Sequence, residues 1–287
     1  MKMWTAICVV FTCLVGVVQA QDNETTKAFL ASLNFQRGHI ELPGGHASLN
    51  IPEQFRYLDP EDTERVLTQA WGNPPGSDAL GMIVPSDIGL LDENGWAVVI
   101  QYEEDGYVSD EDAGEIDYDS LLKEMQKSTA EANEEREKNG YGRVELIGWA
   151  APPHYDQPQN KMYWAKEIAF DDSQTHTLNY NIRVLGRKGV LILNAVAGMS
   201  QINQITDDMQ DVLDFANFDK GYQYADFNPD NDHVAAYGLG ALVAGTVAAK
   251  AGLFAKLGVM LLAMKKFLIV AVLAIGAFFK KLFGGNK

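Results

Sequence analysis

Between residues 177 and 198 the chain is written with a period of two, and this pattern most restricts what it can fold into. In "HTLNYNIRVL", Leu178, Tyr180, Ile182 and Val184 alternate with Thr177, Asn179, Asn181 and Arg183. A strand sends successive side chains to opposite faces, so the first set makes an apolar face and the second a polar one. "GRKG" then turns the chain into "VLILNAVAG", which gives a β-hairpin. Upstream, "RVELIGWA" and "KMYWAKEIAF" flank an expected loop holding Pro152, Pro153 and Pro158, so that residues 143–198 read as a β-meander. "WAVVIQYEEDG" is another strand, apolar enough to be central, and short strands are expected around the turn at Pro43, Gly44 and Gly45.

Three helices are expected among these strands. The first has Asp59 as N-cap, Pro60 in the first helical position, and Glu61 and Asp62 at the positive end. Val66, Leu67, Ala70 and Trp71 form its apolar face, and Gly72 ends it. The second begins near Asp117 to Ser120, turns Leu121, Leu122 and Met125 to the core, carries Glu134 and Lys138 at i,i+4, and stops at Asn139 and Gly140. The third starts near Thr206, with Met209, Val212, Leu213 and Ala216 inward. Strands that run together with helices inserted imply an α+β fold: an antiparallel β-sheet covered by helices.

The ends of the chain differ from its middle. "MKMWTAICVVFTCLVGVVQA" has a positive start, an apolar run and a small-x-small ending, the form of a cleaved signal peptide over residues 1–20. Both cysteines, Cys8 and Cys13, lie in it, so the mature chain has no disulfide, thiolate nucleophile or cysteine zinc site. Residues 21–37 read as a loose lead and residues 38–233 as an acidic domain. All 39 acids fall in residues 21–233 beside 15 basic residues, a net charge of −24. Such a surface repels phosphate and excludes a nucleic-acid partner; divalent cations or a basic partner suit it better.

Residues 234–287 have seven lysines and no acid. They read as a C-terminal membrane anchor of one or two helices in the lipid bilayer. The uncharged run 234–249 is roughly 24 Å of helix and the run 267–279 roughly 20 Å, each short of a bilayer core of about 30 Å. Ala236, Gly240, Ala244, Ala248 and Gly252 recur every four residues, a small-residue stripe that lets helices approach closely in lipid, within a hairpin or by self-association.

Several strings, among them "SLNIPEQFRYLDPEDTERVLTQAWGNPPG", "WAVVIQYEEDGYVSDEDAGEIDYDSLL", "HTLNYNIRVLGRKGVLILNAVAG" and "KAGLFAKLG", resemble a bacterial family of membrane-anchored proteins, the domain of unknown function 2167. The resemblance covers nearly the whole mature chain. It implies envelope location and a C-terminal membrane segment, and brings no catalytic residues. An early "IPEQF" strand with a late acidic helix is also similar to PsbP/Mog1-like sheet domains, at the level of fold only.

The search for chemistry leaves candidates rather than a constellation. Ser120 and Lys123 match S-x-x-K, but the partner motifs are missing or out of order. His39 and His46 face each other across a turn without a third ligand. Asp110 and Asp112 in one acidic run, and Asp226, Asn228, Asp230 and Asp232 in another, offer oxygen ligands for calcium, or else form solvated loops and caps. Trp149, His154, Tyr155, Tyr163, Trp164 and Glu167 gather around one hairpin, as a pocket lining or as packing. No cofactor motif is present. The expected protein is therefore a non-catalytic, membrane-anchored periplasmic domain that binds or scaffolds an envelope protein. A hydrolase with a carboxylate pair, and a membrane-active oligomer formed through the tail, are the alternatives.

Overall fold

The computed structural model describes residues 22–73, 75–171 and 175–245. The chain separates into two compact units, Met1–Val243 and Ala244–Lys287. The expected signal segment and nearly all of the second unit, including Ala248, Gly252 and the expected membrane helices, lie outside the described residues. Among the described residues no helix is long and apolar enough to cross a membrane.

The first unit is α+β, and all its strand pairs are antiparallel. The elements in order are α1 (Asp22–Ala31), β1 (Gly38–Glu41), β2 (Ala47–Ile51), β3 (Phe55–Leu58), α2 (Pro60–Arg65), β4 (Gly81–Pro85), β5 (Ala97–Glu103), α3 (Tyr118–Lys138), β6 (Val144–Asp156), β7 (Lys161–Phe170), β8 (Thr177–Leu185), β9 (Val190–Gly198), α4 (Ile202–Phe215), β10 (Ala216–Phe218) and α5 (Leu239–Ala244). A seven-stranded sheet runs β3-β4-β5-β9-β8-β7-β6, and a small sheet runs β1-β2-β10. The meander β6 to β9 is as expected, and β5 is interior, between β4 and β9. The β8–β9 hairpin closes with Leu185 opposite Val190 and Gly186 N donating to Gly189 O at 2.9 Å.

The apolar face of β8 meets the main core. Leu178, Tyr180, Ile182 and Val184 are buried there with Val98, Ile100 and Leu193, under α4 residues Ile205, Met209, Val212 and Leu213. The opposite face is covered too, in two parts. Under α2, Val66, Leu67 and Trp71 pack on Met82, Val84 and Val99. Toward β7, Met162, Trp164, Val190 and Ile192 pack with Leu239, Leu242 and Val243.

Five expectations change. Residues 21–37 are no loose lead: α1 occupies 22–31, Leu33 is buried, and Phe29, Leu30 and Phe35 pack on the α2 cluster. Val66–Ala70 is a π turn with Trp71 N donating to Val66 O; the extra residue per turn brings Trp71 inward and leaves Ala70 exposed. Pro152 and Pro153 lie inside β6 rather than in a loop, because β6 is an edge strand with register shifts, where a missing N–H costs no ladder bond. α3 lies along that edge, so Leu121 and Met125 reach the Trp164 cluster while only half-buried and Leu122 does not join it; its surface pairs are Lys127–Glu131 and Lys138–Glu135. The domain also does not stop at residue 233. Ala235, Leu239, Leu242 and Val243 are buried in it, so the first residues assigned to the anchor belong to the globular unit.

Candidate functional site

The acidic stretches are fastened to each other. Asp110 accepts from the Tyr155 hydroxyl (2.9 Å) and the Tyr224 hydroxyl (3.2 Å). The two Asp112 oxygens accept from Leu239 N (3.0 Å) and Gly240 N (3.2 Å), capping α5. Tyr237 donates to Asp105 at 2.9 Å, and Tyr107 pairs by its backbone with His233 and Ala235. Burial first, and then donation to these carboxylates, raises the Tyr155 and Tyr237 hydroxyls.

In the second stretch, Asp226 accepts from Gly221 N and Gln223 N, and Asp232 forms a two-point pair with Arg187 (2.7 and 3.1 Å). Asn228 N donates to Asp232, and Asp230 N donates to the Asn228 side chain. Every calcium candidate here except the exposed Asp230 carboxylate has an internal donor or acceptor. Among the described residues no three acids or histidines stand as a metal-binding group.

The sheet itself splits the aromatic cluster, because a strand's alternate side chains cannot meet across it. Tyr163 packs toward the main core with exposed His154 opposite it, their rings 5.1 Å apart. Trp164, Trp149 and Tyr155 lie on the other face, where Arg183 sits over the Trp164 ring at 5.0 Å. Glu167 bonds His176 at the far end of β7. These six residues are packing and cross-strand pairs, not one lining. Ser120 is likewise a capping residue, donating to the Asp117 carboxylate at 2.7 Å. His39 bonds Asn50, whereas His46 packs on Tyr102 and Tyr222. Ala236 is exposed, Gly240 sits at the cap by Asp112, and Ala244 ends α5, so the described part of the small-residue stripe falls at the domain's last turn.

A cleft absent from the sequence reading remains. It is a shallow, half-open depression of about 490 Å³ between the start of β3, the end of β4 and α4. Glu53, Asp87 and Asp208 line it with Gln54, Ser86 and Gln204, over Phe55 and Trp96, whose rings meet edge to face at 6.1 Å. Ser86 fixes one rim: its Oγ donates to Glu53 O (2.8 Å) and accepts from Arg37 Nη2 (3.0 Å). Burial raises the Asp208 carboxyl; a hydrogen bond from Gln204 opposes this, and repulsion by Asp211, Asp87 and Asp207 adds to it. The only local signal was the i,i+4 spacing of Gln204 and Asp208 on the polar side of α4. Their meeting with Glu53 and Asp87 is set by the tertiary fold.

Among solved structures, the chain is similar to the cyanobacterial PsbP protein CyanoP of Synechocystis sp. PCC 6803, at 12% identity over 71% of this chain and 99% of that one, with a TM-score of 0.34. It is also similar to the Saccharomyces cerevisiae Ran-binding protein Mog1p, at 14% identity over 61% and 84% of the two chains, with a TM-score of 0.27. At that overlap neither likeness bears on what this chain binds or does. The comparison with curated proteins found no match. The family comparison is decisive in extent, because one model spans residues 34–276 and so takes in the sheet, the cleft, the acidic fastening and most of the lysine-bearing remainder: the chain belongs to the family described as protein of unknown function DUF2167.

Proposed function

We propose that this is an exported acidic domain, held at a membrane by the residues beyond Val243, which binds or scaffolds a basic partner protein of the envelope. The observation that carries the reading is the cleft. The Asp110, Asp112, Asp226 and Asp232 carboxylates accept hydrogen bonds from within the fold, whereas those of Glu53 and Asp87 take none from the described residues and stand with Asp208 at one opening. Acceptors gathered this way suit lysine or arginine side chains, and a net charge of −24 draws a basic surface in from a distance. Crosslinking and pull-down of the full-length protein from its own membranes tests this beside the variant Glu53→Gln, Asp87→Asn, Asp208→Asn. A basic partner recovered with the parent and lost with the variant supports the reading; identical recoveries from both oppose it.

A second reading, a hydrolase using a carboxylate pair, is favoured by one observation: Asp87 and Asp208 line the same cleft, and Asp208 is raised, first by burial and then by Asp211, Asp87 and Asp207. Turnover of an envelope polymer that Asp208→Asn abolishes without altering stability would select it over scaffolding.

A further inference from the structure

We infer that α3 is a stand-in for an eighth strand, a guard that closes the free edge of β6 to other chains. β6 ends the seven-stranded sheet, and an uncovered edge strand offers its N–H and C=O groups to any extended chain. Asn133 of α3 occupies that edge. Its Oδ1 accepts from Val144 N and its Nδ2 donates to Val144 O, both at 2.9 Å, the two bonds that a neighbouring strand would make with one residue. Two turns earlier, Gln126 Nε2 donates to Leu146 O (3.2 Å) and Ile147 O (3.0 Å). Seven residues of helix rise about 10.5 Å, and Val144 to Ile147 spans about 10 Å, so the helix keeps step with the strand. The Trp149 indole reaches Tyr118 O at 3.4 Å, where the helix begins. Past that point Pro152 and Pro153 take over, with no N–H to offer.

The composition of α3 fits a guard and not a core helix. Its one buried residue is Asn133, at 4% exposure, a poor helix former in a place where a packing helix would carry leucine. The carboxamide is there because it copies a peptide group. Apart from Tyr118, Leu121 and Met125, which are half-buried against the Trp164 cluster, α3 is held by such bonds, and a helix with so little buried apolar surface opens locally at a lower cost than the whole domain. Opening would free the Val144–Ile147 edge beside Ile147, one of the two large apolar side chains exposed among the described residues. Edge pairing would then follow without unfolding.

The test uses the full-length protein and the double variant Asn133→Ala, Gln126→Ala, with Glu131→Ala on the exposed side of α3 as control. Hydrogen exchange of the Val144 amide should quicken at least about tenfold in the double variant, which loses the two Asn133 bonds and the two from Gln126. Exchange in β8 and β9 should stay unchanged, and sedimentation should show oligomers that grow with concentration. A variant that remains monomeric overturns the inference. So does one in which β8 and β9 lose protection together with β6, since α3 would then be part of the cooperative core.

Discussion

A chain cut after Val243 and a chain cut after His233 differ by ten residues and should differ by most of the domain's stability. Leu239, Leu242 and Val243 are 0%, 2% and 2% exposed. Fully burying such a side chain contributes about 1.5–3 kcal/mol, so the three together contribute about 4.5–9 kcal/mol. That range is an upper bound, because an unfolded chain already buries some of this surface. The lost Asp112 cap on α5 adds about 1 kcal/mol. Whole domains are stable by about 5–15 kcal/mol, so the shorter chain should be marginal or unfolded. Urea titration followed by far-ultraviolet circular dichroism reads this directly, with both chains starting at Gln21. A loss of about 5 kcal/mol at a slope of about 2 kcal/mol per molar lowers the midpoint by roughly 2.5 M. Leu242→Ala in the longer chain should cost about 2–4 kcal/mol by the same packing. Superimposable curves for the two chains would refute the reasoning and return the domain boundary to residue 233.

Ile182→Asp, at a position 0% exposed, should cost several kcal/mol in the same titration; Asn181→Asp should also cost more than about 1 kcal/mol, because Asn181 is 2% exposed and its Nδ2 donates to Asn179 O. An unchanged midpoint for Asn181→Asp would show the second face to be open. Asp232 is held below its ordinary range, first by the hydrogen bond from Arg187, so its contribution is present above a pH of about 4 and lost as pH falls through the depressed folded value. Asp232→Asn should flatten that acid limb, and an unaltered pH slope would count against the pair. Asp208 is raised, so its ionisation disfavours the fold at neutral pH. Asp208→Asn should raise the midpoint at pH 7, with the gain fading as pH falls through the raised folded value and gone below about pH 4; a gain that persists in acid would mean that charge is not its cause.

What was legible in the sequence was whatever repeats locally. The period of two over residues 177–185 gave both faces of β8, and the Asp59, Pro60 and Asp117 signals placed the starts of α2 and α3. Pro152 and Pro153 misled because proline argues against a strand unless the strand is known to be an edge, and edge position is a property of the sheet. The polar residues opposite Ile182 implied solvent. Asn181 is instead buried, opposite Trp164 of β7, on a face that the segment returning after α4 helps to cover, and no local pattern connects that segment to β8. Likewise the run at 234–243 is apolar whether it enters lipid or seals the face over Trp164, and hydropathy alone does not separate the two.

The carboxylates show the same limit and a way past it. In sequence the acids at 110–112 and 226–232 are the dense clusters and invite a cation, while Glu53, Asp87 and Asp208 lie scattered. Density along the chain reports mainly how many backbone and hydroxyl donors an acidic segment must satisfy when its loop is packed down. The Asp112 oxygens end on Leu239 N and Gly240 N, and those of Asp232 on Arg187. A carboxylate spent on its own fold has little left for a ligand, since each oxygen it commits must be withdrawn before it can bind anything else. The acids free for a partner are those that the fold brings to an opening without giving them donors, a condition that Glu53 and Asp87 meet where β3, β4 and α4 join, beside an Asp208 that takes one bond from Gln204. In a domain this acidic, the site is therefore better sought by asking which carboxylates the structure leaves unused than by asking where the carboxylates are most numerous.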